Sequence, residues 1–224
     1  GILRLLSLFT ENLKMVYEGA VELIIGLANK VMDGGELTRA EALALAAIPA
    51  SETMLLLAMA DKIRQRFVGE TVDLCAIVSG RSGRCPENCA FCAQSAHHQT
   101  DSPVYGLLPE AERLAAARQA KAQGAVRFSI VTSGRGVERE GDFERILTAL
   151  RKMREECGLE VCASLGILSP AAARALKEAG VSRYHANVET SRSHFGNICT
   201  THTYEDKLST IAAARSAGLQ ICSG

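Results

Sequence analysis

The chain has 224 residues with 25 basic and 25 acidic side chains, so it lacks the basic surplus that neutralising nucleic-acid phosphates requires. Aromatic residues make up only 4% and Trp is absent, which argues against a stacking platform for single strands. No apolar run reaches the length of a transmembrane helix, and a chain that is 47% hydrophobic can bury the core of one large α/β domain, or of one and a half ordinary ones.

The first residues, GILRLLSLFTENLKM, have a short apolar stretch with no small-residue cleavage site after it. Met15 is a candidate native start, and the expected compartment is the cytoplasm. Helical spacing then runs from Val16 to about Arg66, with Ala20, Val21, Leu23, Ile24, Ile25 and Leu27 on one segment. Gly34 and Gly35 stop that helix. Thr38 caps the next, with Glu41 three positions on as a capping box, and Ser51 starts a third. Residues 1–70 therefore read as a helical lead-in to a main domain over 71–224.

From Thr71 the texture changes to strand-then-helix units. Strands are predicted over 72–79, 126–133, 159–166, 181–189 and 219–224. Helices are predicted near 109–123, 142–156, 169–179 and 203–217, with glycines at their ends and Ser169-Pro170 opening the third. Such alternation means a parallel sheet, either doubly wound or part of a (β/α)8 barrel.

The stretch from Arg81 to Ser95 reads RSGRCPENCAFCAQS and places Cys85, Cys89 and Cys92 in a C-x3-C-x2-C spacing. Three thiolates on one loop suit a four-iron cluster with one iron left open, since a full set is four cysteines. A zinc site needs a fourth ligand, for which His97 or His98 is available. Eight cysteines in a reducing compartment point to metal ligation rather than disulfides. In a parallel α/β fold this loop follows the first strand, on the side where active sites form.

The triplet, with Phe91 just before its last cysteine, resembles the radical S-adenosylmethionine (SAM) enzymes. The flanking PEN and AQS, and YHANVETS over 184–191, are similar to the biotin synthase branch of that family. The resemblance runs from about residue 20 to the end. It implies the (β/α)8 barrel, with about five of its strand–helix units present and the C-terminal strands missing. It also implies a 4Fe-4S cluster on Cys85, Cys89 and Cys92 that chelates SAM at the open iron and cleaves it to a deoxyadenosyl radical. The implied activity is sulfur insertion between C6 and C9 of dethiobiotin, the final step of biotin formation. A flavodoxin- or ferredoxin-like electron donor and a homodimer come with it; nucleic acid and membrane do not.

On the same resemblance Cys162 and Cys222 hold a second cluster that donates the sulfur. That cluster is of the 2Fe-2S kind or a four-iron type, because Ser129 stands where a cysteine is common and serine is the poorer ligand. Cys199 is a further candidate ligand there. Cys75 reads as strand core and Cys157 as a structural helix-end residue. The resemblance also implies that Asn187 faces SAM and dethiobiotin, that Glu189 accepts from the SAM ribose and that Lys207 meets the SAM carboxylate. Arg135, in SGRG, is a weaker loop candidate. The alternatives are a related enzyme of the hydrogenase-maturase or methylornithine-synthase type, and a zinc-binding module without catalysis.

Overall fold

The computed structural model describes residues 19–137 and 141–224. Met15 and the segment before it lie outside the described residues. The chain divides into two units, the first ending at Val72 and the second starting at Asp73.

In the first unit, helix α1 covers 19–32 and buries Ala20, Ile24, Leu27 and Ala28, an i, i+4, i+7, i+8 stripe. Helix α2 (Arg39–Ala46) opens on the expected capping box between Thr38 and Glu41. Lys30 Nζ donates to both Glu41 oxygens at 2.9 Å, tying α1 to the cap. A short 3-10 turn over Ala50–Glu52 precedes α3 (Thr53–Phe67), so the third helix begins two residues after Ser51 and has no side-chain cap.

The second unit is a five-stranded parallel sheet in the order β1-β2-β3-β4-β5. The strands are β1 (Cys75–Arg81), β2 (Arg127–Thr132), β3 (Glu160–Ser164), β4 (Val181–His185) and β5 (Gln220–Cys222). Between them lie α4 (Glu110–Ala122), α5 (Phe143–Cys157), α6 (Pro170–Glu178), the short α7 (Phe195–Ile198) and α8 (Tyr204–Ser216). Among the described residues the sheet is open, with β1 and β5 at its two edges.

Alternation sorts the strand residues onto two faces. Phe128, Ile130, Val161, Ala163 and Tyr184 pack outward with Leu147, Leu150, Met153 and Leu176 of the helices in one buried core. Each fully buried side chain of this size contributes about 1.5–3 kcal/mol of transfer free energy. The inward positions differ in chemistry: Cys75, Arg127, Ser129, Cys162, Arg183, His185 and Cys222. Cys75, expected as core, is exposed, because its neighbours Ala76 and Val78 take the outward pleat positions. Cys157 is buried at the end of α5, as a structural residue should be.

Caps fix the helix starts. Ser169 Oγ accepts from Ala172 N ahead of Pro170, and Thr203 with Asp206 forms a second capping box at α8. Strand β4 is shorter than expected. Beyond His185 the chain stays tied to the end of β5, with Ala186 N donating to Cys222 O at 3.0 Å and both Val188 N and Glu189 N donating to Gly224 O at 2.9 Å, and it turns with Glu189 at φ +68. Gly166 follows β3 at φ +84, and a Cβ there would meet Arg135 O at 2.2 Å, so the β2 and β3 loops close only over glycine.

Candidate functional site: a cysteine loop and a polar strand face

The loop after β1 is pinched shut at its base. Ser82 and Tyr105 exchange backbone hydrogen bonds at 3.1 Å each, and the Tyr105 hydroxyl donates to Ser79 O. Inside the loop, Cys85 N donates to Gln94 O and Ala96 N donates to Cys85 O, while Cys92 N donates to Cys89 O across a tight turn. All three cysteines are half-buried and free. The Nε2 atoms of His97 and His98 hydrogen-bond to the carbonyls of Pro86 and Cys89. The two histidines therefore brace the loop. Phe91 is 58% exposed beside Cys92.

The PEN segment docks this loop on the turn between α7 and α8. Asn88 Oδ1 accepts from Thr200 N and Thr201 N, its Nδ2 donates to Thr200 Oγ1, and Ala90 N donates to Ile198 O at 2.8 Å. Glu87 is buried, and its Oε2 accepts from Thr201 Oγ1 at 2.8 Å and from His202 Nδ1 at 2.5 Å. Burial alone would raise the Glu87 carboxyl, but these donors outweigh it and hold it below the usual carboxylate range. Arg135 Nη1 lies 3.6 Å from Glu87 and donates to Thr201 O at 2.6 Å. Its role here is to fasten the loop. Phe195 packs edge-on against the His202 ring at 5.6 Å.

Cys199 belongs to this loop. Its Sγ lies 3.8 Å from Cys89 Sγ, with Cys89 donating, and 3.2 Å from His202 Nδ1. Burial and the neighbouring Cys199 push the Cys89 thiol up to about 12. At Cys199 burial acts the same way, but hydrogen bonds from Thr201, His202 and Cys89 bring the thiol below its ordinary value. Cys89, Cys199 and His202 present ligand atoms within 4.8 Å of one another, a spacing that suits a single ion. A cubane spreads its thiolates over separate corners and needs the wider triplet instead. Cys199 was expected beside Cys162 and Cys222; its polar neighbours place it against Cys89.

The second group lies on the inner strand face. One hydrogen-bonded row runs Ile77, Ser129, Cys162, Arg183, Gln220 across all five strands. Cys162 is fully buried, and burial pushes its thiol up to about 11. Cys222 is half-buried and pairs with His185, one inward position further along. Among the described residues Ser129 Oγ and His185 Nε2 are buried without a hydrogen-bond partner. Burial, then Arg183 and Arg127, lowers the His185 pKa and keeps the ring neutral.

Asn187, Glu189 and Lys207 come together at the strand ends. They line one cavity of about 250 Å³ with Ser129 and His185. Asn187 Oδ1 accepts from Gly224 N, and Glu189 holds a left-handed backbone that is uncommon without glycine. The charge of Lys207 also reaches Cys89 and favours its thiolate, so this residue faces both the cavity and the cysteine loop. Glu87, Asn88 and His202 are the functional residues that sequence reasoning missed. The signal that marks them is a run of hydrogen-bonding side chains in PEN and again in TTHT.

The curated relatives include biotin synthases from Geotalea daltonii, 48% identical over 198 residues, and from Desulforudis audaxviator, 51% identical over 202 residues. These alignments cover 88% and 90% of this chain but 60% and 61% of the relatives, so the chain spans about three fifths of their length. Among solved structures, methylornithine synthase superposes with a TM-score of 0.75 at 20% identity, over 88% of this chain and 58% of that one. An FeFe-hydrogenase maturase from Carboxydothermus hydrogenoformans superposes with a TM-score of 0.73 at 17% identity, over 100% of this chain and 53% of that one. The identities to these two structures bear on the fold alone. The Radical SAM superfamily model matches residues 81–224, from the end of β1 through the cysteine triplet to β5. With the triplet on its braced loop at the C-terminal edge of a parallel sheet, the chain belongs to the radical SAM superfamily.

Proposed function

We propose that this chain is the core of a biotin synthase, which inserts sulfur between C6 and C9 of dethiobiotin. The observation that carries the reading is the inner strand face. A fully buried thiol, Cys162, stands in register with the unpartnered Ser129 hydroxyl and on the same face as Cys222. Two inward thiols on neighbouring alternate strands, one of them fully buried, suit a strand-held cluster that can deliver sulfur.

Superfamily membership brings a 4Fe-4S cluster and SAM, which together supply one-electron cleavage of SAM to a carbon radical. The residues present fit that group. Cys85, Cys89 and Cys92 are half-buried, unbridged and carried on one braced loop, with Phe91 exposed at its rim. Asn187 can donate and accept at once, which suits a ureido ring or the SAM ribose. Glu189 supplies a carboxylate for ribose hydroxyls, and Lys207 a cation for the SAM carboxylate. A flavodoxin- or ferredoxin-like donor, homodimerisation and a reducing cytoplasmic setting belong to the same proposal. No single helix among the described residues is long and apolar enough to cross a membrane.

The test is product analysis with dethiobiotin, SAM and a reductant. Biotin is expected from the wild type, and Cys162→Ala is expected to release 5′-deoxyadenosine without biotin. Biotin formation undiminished in Cys162→Ala would remove the sulfur-site argument. A second reading, a zinc-holding module, draws on the Cys89, Cys199 and His202 group. Stoichiometric zinc with no acid-labile sulfide would select it.

A further inference from the structure

We propose that Cys75 is a ligand of the strand-held iron–sulfur site, supplying the thiolate that the Ser129 position does not. The inference rests on the biotin synthase reading above and names a residue of the second site. Cys75 lies on β1 in register with Arg127, two residues before Ile77. Ile77 is the β1 member of the row that contains Cys162. Cys222 lies on β5 two residues after Gln220, the β5 member of the same row. Cys75, Cys162 and Cys222 therefore fall on one diagonal through alternate strands β1, β3 and β5.

In a barrel that diagonal is a level. Strands tilt against the axis, and in an eight-stranded barrel of shear eight the stagger is about one residue per strand. Two strands across, positions at one height differ by two residues, and alternate strands feed one interior layer. The stagger runs the same way around the whole barrel. The step that takes Cys162 forward to Cys222 thus takes it back to Cys75.

Three further observations agree. Cys75 is exposed on the inner face and unbridged, so core packing does not account for it. Its charge is felt by Cys162, as are those of Arg127 and Arg183. Two guanidinium groups thus flank a layer of thiols and offset the charge of an anionic cluster. Ser129 Oγ, fully buried between Cys75 and Cys162 in strand order, lacks a partner, which marks a space for a polar group. Each thiol would lose its proton to solvent as its sulfur bonds to iron.

The experiment is iron, acid-labile sulfide and Mössbauer analysis of the protein after anaerobic reconstitution. Wild type is compared with Cys75→Ala, Cys162→Ala and the helix-end control Cys157→Ala. Cys75→Ala is expected to lose about half or more of the iron beyond the about four atoms of the loop cluster, as Cys162→Ala does. The double variant Cys75→Ala/Ser129→Cys is expected to regain it. Cys75→Ser, nearly isosteric, serves if Cys75→Ala fails to fold. Wild-type iron in a folded Cys75 variant, with loss in Cys162→Ala, would overturn the inference and leave the function standing. Wild-type iron in both would remove the strand-held site and the functional reading together.

Discussion

Asn88 and Glu87 hold the cysteine loop in place through Thr200, Thr201 and His202. Asn88 satisfies two backbone N–H groups and one hydroxyl on the α7–α8 turn. Truncation by Asn88→Ala leaves those donors unpaired, at a cost of about 1–2 kcal/mol. The expected readout is faster amide exchange over 83–104, with core strands β2 and β3 unchanged; unaltered protection would mean that the docking is not needed. Replacing Cys85, Cys89 or Cys92 singly by Ala should abolish SAM cleavage, because a cluster with two remaining protein ligands is not retained. The cysteine triplet shows in the sequence as a spacing, and its PEN and AQS flanks carry the resemblance. The partners of Glu87 and Asn88 were not, since they lie more than 110 residues away in sequence and no local pattern encodes the meeting.

At the scale of elements, caps and turns carry testable weight. Lys30, then Thr38, holds the Glu41 carboxyl at about 2 against its ordinary 4.5. Its contribution to the α2 cap is therefore present above the unfolded value and fades as pH falls toward about 2. Helix signal from 39–46 should decline over that window in the wild type and be pH-independent in Glu41→Gln. Equal titration of both would refute the role. At the β3–β4 join, the buried Tyr184 hydroxyl donates to Gly166 O at 2.7 Å and accepts from Leu165 N at 3.2 Å. Tyr184→Phe strands both groups and should cost about 1–3 kcal/mol in chemical denaturation, with no change expected in SAM binding. The sequence placed the five strands and the four long helices of the second unit to within a few residues, because period-two and period-3.6 patterns alternate cleanly with glycine punctuation, but it missed the four-residue α7, which is too short to show a period. It overran β4 by four residues because VSRYHANVE is patterned as strand throughout. The turn at Glu189 is set by pairing with Gly224, which lies on another strand's end.

For the whole molecule, the division of the sheet into an apolar outer face and a polar inner face is the feature that makes chemistry possible. Outward residues join one core with the helices, while inward Ile77, Ser129 and His185 line a cavity at the strand ends with Asn187, Glu189 and Lys207. Among the described residues β1 and β5 each pair on one side only, which leaves two ladder edges as templates for another chain. The 224-residue chain by itself is expected to self-associate without a fixed limit as concentration rises in sedimentation velocity; a constant sedimentation coefficient would show the edges to be covered.

On the proposed function, sulfur leaves the protein from a site held by the inner face of its strands. The measurement that tests it most directly is a single turnover on dethiobiotin by protein reconstituted with heavy-isotope sulfide and freed of unbound sulfide. The expected product is biotin carrying the heavy sulfur, with none formed by Cys162→Ala. Unlabelled biotin from the same preparation would contradict it.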